Sequence, residues 1–170
     1  MARQATGQIA KRDLNATVFV FKVALQAQKK VWRRIAMRSD QTLEDLHDGI
    51  FDAFDRYDEH LYSFYLLPPG VKGRRALVES VEYTSPYMFE QPDAFGWGEA
   101  YDASATAIGS LGLEPKRQLR YLFDFGDDWW HEITVEQIDG PPDNGDYPRV
   151  IERRGDSPPQ YPDIEEEDWE

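Results

Sequence analysis

The sequence predicts a single α+β domain in which a mostly antiparallel sheet packs with a few helices. Three observations carry this: strand-like alternation from Thr17 to Met37, one amphipathic helix after Thr42, and a second strand pair around Gly126. A chain of 170 residues suits one domain, and 41% hydrophobic with 14% aromatic side chains is ample material for a core. Residues 1–15 read as a flexible arm, 16–162 as the domain and 163–170 as an acidic, solvated tail.

In order, Thr17 to Ala27 places Phe19, Phe21, Val23 and Leu25 on one face, and Val31 to Met37 alternates again after polar Gln28, Lys29 and Lys30. The two strands are expected to pair antiparallel. Thr42 is a good N-cap, with Asp45 favourable to the helix dipole, and Leu43, Leu46, Ile50 and Phe54 then recur at helical spacing. His47 falls on the flank of that apolar stripe. A polar turn over Arg56 to Glu59 leads into an aromatic strand from His60 to Leu67, which Pro68-Pro69-Gly70 ends. A strand is expected over Ala76 to Tyr83, a surface excursion over Ser85 to Tyr101, and a short helix over Ala103 to Leu113. Leu119 to Phe125 and Trp130 to Ile138 form a hairpin about Gly126-Asp127-Asp128-Trp129. From Gly140 onward the chain is Pro-rich and polar.

The chain has no cysteine, which excludes disulfides, thiolate metal sites and a cysteine nucleophile. No phosphate-cradling Gly-rich loop or serine nucleophile elbow is present, and Gly96-Trp97-Gly98 lacks the rest of a dinucleotide fingerprint. Apolar runs are too short to cross a bilayer and the first residues lack an apolar signal core, so a cytoplasmic location without membrane contact is expected.

The net charge of −13 is unevenly spread. Residues 1–38 carry nine basic side chains against Asp13, a local +8, so the remainder holds −21 of the total −13. Lys29, Lys30, Arg33, Arg34 and Arg38 form a basic strip that could contact nucleic acid, while the acidic remainder argues against it. Such residues also keep strand edges from aggregating.

The three histidines each sit near carboxylates or in strongly patterned segments: Leu46-His47-Asp48, Asp58-Glu59-His60, and Asp124-Phe125-Gly126-Asp127-Asp128-Trp129-Trp130-His131. Imidazole and carboxylate together suit zinc, manganese or iron, so His47, His60, Asp124, Asp127 and His131 form a candidate divalent-metal cluster, catalytic or not. The competing reading makes His47 and His131 hydrogen-bonded core histidines and Asp124 and Asp127 ordinary turn residues. Trp97, Tyr101, Trp129 and Trp130 divide in the same way between interaction surface and core.

Four separated signatures carry a resemblance: Val31-Trp32-Arg33-Arg34-Ile35; Thr42-Leu43 with Leu46-His47; His60-Leu61-Tyr62 with Phe64; and Tyr121, Phe123-Asp124-Phe125-Gly126-Asp127, Trp129, His131 and Ile133. In this order, from about Ala16 to Pro162, the chain resembles the plasmid pRiA4b ORF-3-like family. The resemblance implies a small α+β protein with a largely antiparallel sheet. It implies a kind encoded on plasmids, as passengers of insertion elements and on chromosomes, and it carries over no established activity. Where many relatives have a Pro-rich stretch containing cysteine, this chain has Gly155-Asp156-Ser157-Pro158-Pro159-Gln160-Tyr161-Pro162.

The function expected is that of a noncatalytic interaction or accessory module with a protein partner. The alternatives are a divalent-metal protein or metal-dependent hydrolase, whose ion would lower the pKa of a bound water, and nucleic-acid binding through the basic strip.

Overall fold

The computed structural model describes residues 15–91 and 99–161. Residues 1–14 of the expected arm, the acidic tail and Trp97 lie outside them. Eight strands form one sheet: β1 (Val18–Leu25), β2 (Trp32–Arg38), β3 (Tyr62–Leu66), β4 (Val81–Thr84), β5 (Ala100–Asp102), β6 (Gln118–Phe123), β7 (Trp129–Asp139) and β8 (Arg149–Arg154). Their order is β5-β4-β3-β6-β7-β1-β2-β8, and every pairing is antiparallel except β4 with β5. The fold is therefore α+β, as the sequence predicts.

Alternation decides which face is dry. Phe19, Phe21, Val23 and Leu25 of β1 are buried, as are Leu119, Tyr121 and Phe123 of β6 and His131, Ile133 and Val135 of β7. Their neighbours Lys22, Trp32, Arg34, Arg120, Trp130 and Glu132 are half-buried on the opposite face. Helix α1 (Leu43–Ala53) joins the core through Leu43, Leu46, Ile50 and Ala53. Its first turn is closed by a capping box in which Asp45 N donates to Thr42 Oγ1 at 3.2 Å and Thr42 N donates to Asp45 Oδ2 at 2.9 Å. Thr42→Ala is expected to cost about 1 kcal/mol, read as a lowered urea midpoint with an unchanged slope.

The remaining elements depart from the sequence pattern for identifiable reasons. Ala76 to Val78 belongs to the short helix α2 (Gly73–Val78), and the strand keeps only Val81–Thr84. Only Ala76 of α2 is buried, so no apolar stripe of helical period exists to read. A second short helix, α3 (Pro86–Glu90), lies within the expected excursion. Ala103 to Leu113 forms two 3₁₀ turns instead of a helix. Ile108 N donates to Gln41 O and Gly109 N to Ser39 O, so these groups serve the segment before α1. Glycine suits position 109, because a Cβ there would lie 3.0 Å from Ser39 O and press on that backbone. Strand β8 emerges from the Pro-rich polar region and pairs with β2 at the sheet edge. Its charged run Glu152-Arg153-Arg154 is exposed, which suits an edge and hides the strand from a hydrophobic reading.

Candidate functional site

The chain between α1 and β3 carries six titratable side chains in succession, Asp55, Arg56, Tyr57, Asp58, Glu59 and His60. His47 projects from α1 into the core, 2% exposed, and lies flat on Tyr62 of β3 with ring centroids 3.8 Å apart at 9°. Its Nδ1 is 2.5 Å from the Tyr121 hydroxyl and its Nε2 is 2.6 Å from Glu59 Oε1. Burial holds the Tyr121 phenol well above its ordinary pKa, so the hydroxyl keeps its proton. Asp48, the next residue on α1, approaches the same point: one ligating atom from each of His47, Asp48 and Glu59 falls within 4.8 Å of the others. The Asp48 carboxyl is pushed up to about 6, first by desolvation and then by Glu44, Glu59 and Asp45, against the opposing pull of His47.

His60 lies on the other side of Phe123, whose ring centroid is 5.8 Å from that of His60 and 5.9 Å from that of His47. Its Nε2 is 2.7 Å from the Tyr161 hydroxyl, 3.5 Å from Asp124 Oδ2 and 3.6 Å from Asp58 Oδ2. Tyr161 donates in turn to Asp58 Oδ2 at 2.6 Å. Asp124 adopts a left-handed φ of 61°, which Asp tolerates better than most residues. Its Oδ1 accepts from Gly126 N at 3.0 Å and Asp127 N at 3.3 Å. Asp127 serves that turn through its backbone while its side chain is exposed. Buried Gln160 accepts from Tyr57 N and Asp58 N and donates to Asp58 O, which fastens the segment around Gln160 over this loop.

His131 belongs to neither cluster directly. It is fully buried, its Nδ1 donates to Tyr121 O at 3.3 Å, and its Nε2 accepts from Arg56 Nη2 at 3.1 Å. A carbonyl can only accept and a guanidinium can only donate, so these partners fix the neutral Nδ1–H tautomer. Burial, followed by the Arg56 charge, lowers its pKa to about 3. Arg56 itself is 7% exposed and lies over the rings of Phe123 and Trp129, each at 4.9 Å.

Of the five residues expected to converge, the structure thus joins His60 to Asp124, places His47 across Phe123 from them, and leaves Asp127 and His131 apart. Glu59, Asp48, Tyr62, Arg56 and Tyr161 were not expected there. Glu59 and Asp48 each directly adjoin a histidine in sequence, a signal that could have found them.

The basic strip is largely neutralised. Arg33 is 2% exposed and faces inward. Arg34 pairs with Glu136 and Glu152, Arg38 with Asp40, and Lys29 lies 3.5 Å from Glu132. Lys30 is exposed.

At the other end of the sheet, Leu77, Val78, Val81, Tyr87, Phe89 and Tyr101 supply six of the nine exposed large hydrophobic side chains among the described residues. Val78 is 84% exposed and Tyr101 55%. Four of the six, Leu77, Val78, Phe89 and Tyr101, line a groove of about 1510 Å³ together with Tyr65, Leu122 and Trp130, and its charged lining residues are Glu82, Glu99 and Asp128. Among the described residues no helix is long and apolar enough to cross a membrane.

Comparison with known proteins agrees with this picture of a shared fold. The chain is 28% identical over 148 residues to the uncharacterised protein y4hQ of Sinorhizobium fredii, a match that covers 85% of this chain and 66% of that one. The chain therefore spans about two thirds of that relative's length. Its fold is similar to the crystal structure of MM3350, a protein of unknown function from Methanosarcina mazei Go1. The TM-score is 0.65 at 19% identity, covering 86% of this chain and 74% of the other. A family profile described as plasmid pRiA4b ORF-3-like protein matches residues 17–165, the span that contains β1 through β8 with the histidine loop, and the chain belongs to that family.

Proposed function

We propose that this protein is a noncatalytic interaction module that holds a polypeptide partner at the corner formed by α2, β4, α3 and β5. The observation that carries the reading is the concentration of exposed Leu77, Val78, Val81, Tyr87, Phe89 and Tyr101 in that one corner. Isolated exposed apolar residues are ordinary, whereas a contiguous set bordering a groove marks a contact surface. The charged groups lining the groove are all acidic, Glu82, Glu99 and Asp128. The partner that fits is therefore a segment pairing apolar with basic side chains. Strand β5 ends the sheet here, so such a segment can lie along it in extended form. A protein partner is favoured over nucleic acid because Arg34, Arg38 and Lys29 are paired with carboxylates and Arg33 is buried.

An array of immobilised peptides that varies apolar and basic content independently tests the reading. Wild-type protein is expected to be retained by peptides carrying both, and by peptides with acidic flanks much less. Val78→Glu and Tyr101→Glu, checked by circular dichroism for intact folding, are expected to reduce retention at least about ten-fold, the loss typical of a central interface residue. Retention of both folded variants at the wild-type level, or indifference to peptide charge, would sink the proposal.

A further inference from the structure

We infer that His47, Asp48 and Glu59 form a site for a single first-row divalent transition ion, independent of the docking corner. The three side chains come from two elements, α1 and the loop before β3, and converge: one ligating atom from each lies within 4.8 Å of the others. One imidazole and two carboxylates form a mixed nitrogen and oxygen donor set, which suits zinc or manganese better than the oxygen-preferring magnesium and calcium.

Two further features are those of a built site. The first is orientation. His47 is held from behind by the Tyr121 hydroxyl at 2.5 Å and clamped flat against Tyr62, so its Nε2 is aimed at Glu59 before any ion arrives. Ligating histidines are characteristically fixed through their other nitrogen in this way. On binding, Nε2 offers its lone pair to the ion while Nδ1 carries the ring proton toward the Tyr121 oxygen.

The second is the Tyr62 hydroxyl. Tyr62 is 3% exposed, yet its oxygen has no hydrogen-bond partner among the described residues. The charges of Glu44, Asp48, Glu59 and Asp102 act on it. A buried hydroxyl left unpaired costs about 1–3 kcal/mol. Its ring is stacked on that of His47, and a water carried by an ion bound there would supply the missing partner, while the ion offsets the adjacent charges of Asp48 and Glu59. Asp48 and Glu59 reach solvent, so the site has an open approach for the ion and for its remaining water ligands.

The test is calorimetric titration of the full chain, freed of metal by chelator and dialysis, with zinc chloride and manganese chloride. Magnesium chloride is the control. Zinc is expected to bind at one ion per chain and raise the melting temperature, with magnesium at least about ten-fold weaker. Asp48→Asn and Glu59→Gln alter exposed groups and are expected to stay folded, each weakening zinc at least about ten-fold, while the double variant loses the site. A histidine-selective nitrogen NMR spectrum is expected to show the His47 Nε2 resonance shifting with zinc in wild type and not in the double variant. Absence of zinc binding to wild type, equal binding of magnesium and zinc, or zinc binding unchanged in the folded double variant would each overturn the assignment. Val78→Glu is expected to leave zinc binding untouched, so failure of the docking corner and failure of the metal site are separable.

Discussion

Between about pH 6.5 and about pH 4 the wild-type protein is expected to lose roughly 3 kcal/mol of stability relative to a His131→Gln variant. His131 is neutral in the folded protein, with a pKa lowered from 6.5 to about 3 by burial and by Arg56. Once unfolded, it takes up a proton as the pH falls below 6.5. In that window the unfolded chain binds more protons than the folded one. His131 therefore supports the fold above pH 6.5, and this support is lost as the pH falls toward 3, at about 1.4 kcal/mol per pH unit. Asp48 acts in the opposite sense, since its folded carboxyl takes up a proton near 6 and its unfolded one near 3.8. The comparison with His131→Gln cancels that contribution, and Gln retains an acceptor for Arg56 and a donor for Tyr121 O. Urea unfolding of both proteins at pH 7.5 and pH 4 reads the difference. A gap that moves by less than about 1 kcal/mol between the two would show that His131 is not held neutral.

Arg33→Ala is expected to cost about 4 kcal/mol, while Arg34→Ala next to it costs under about 1 kcal/mol. The contrast follows from where each guanidinium is spent. Arg33 donates through Nε to Ala53 O at the end of α1, through Nη1 to Trp32 O and Arg154 O, and through Nη2 to Ser157 Oγ. One side chain thus ties β2 to the last turn of α1, to edge strand β8 and to the segment that ends in Gln160 and Tyr161. Removing it leaves the buried carbonyl of Ala53, at the negative end of the helix dipole, without this donor and loosens the part-buried contacts to Trp32 O and Arg154 O. Arg34 instead meets Glu136 and Glu152 on the half-exposed face, where water competes for all three charges. Arg33→Lys is expected to recover less than half of the loss, because an ammonium cannot reproduce the planar fork. Urea midpoints of the three variants test the ranking, and equal costs for Arg33→Ala and Arg34→Ala would refute it.

How much of this was legible in the sequence depended on burial. The hairpin of β1 with β2, helix α1, and strands β6 and β7 bury a face whose period survives in the residues, whereas β3, buried at Tyr62, Ser63, Phe64 and Leu66, is legible from its aromatic content. Helix α2 and strand β8 bury almost nothing in a periodic way, and their sequences carry no period to detect. The turns after β5 are shaped by hydrogen bonds to residues 39–43, a tertiary demand that local spacing cannot encode. For the candidate site, the histidines drew attention through their neighbours, and Glu59 and His60 do face different clusters from adjacent positions. The register of β6 against β7 sets Tyr121 opposite His131, and Tyr121 then reaches His47 from the sheet. That three-way meeting depends on strand pairing between distant segments. Arg33 illustrates the opposite error: a cation in a basic run reads as surface, yet its burial follows from the same alternation that buries Ile35 and Met37.

The order of strands also bears on how the chain survives its own synthesis. The hairpin of β1 and β2 precedes the other six described strands in the chain, but its outer edges are completed by β7 and β8, the last two of the eight in chain order. At about 5–20 residues per second, the ribosome leaves both edges of that hairpin open for on the order of ten seconds. Open apolar edges invite pairing with other nascent chains. Lys22, Lys29, Lys30, Arg33, Arg34 and Arg38 all lie in or beside this hairpin, and like charges on an open edge disfavour its pairing with another copy. Glu132, Glu136 and Glu152 then arrive on β7 and β8 and neutralise Lys29 and Arg34 as the sheet closes. The uneven charge of the chain is in this sense a timetable, with repulsion early and attraction late.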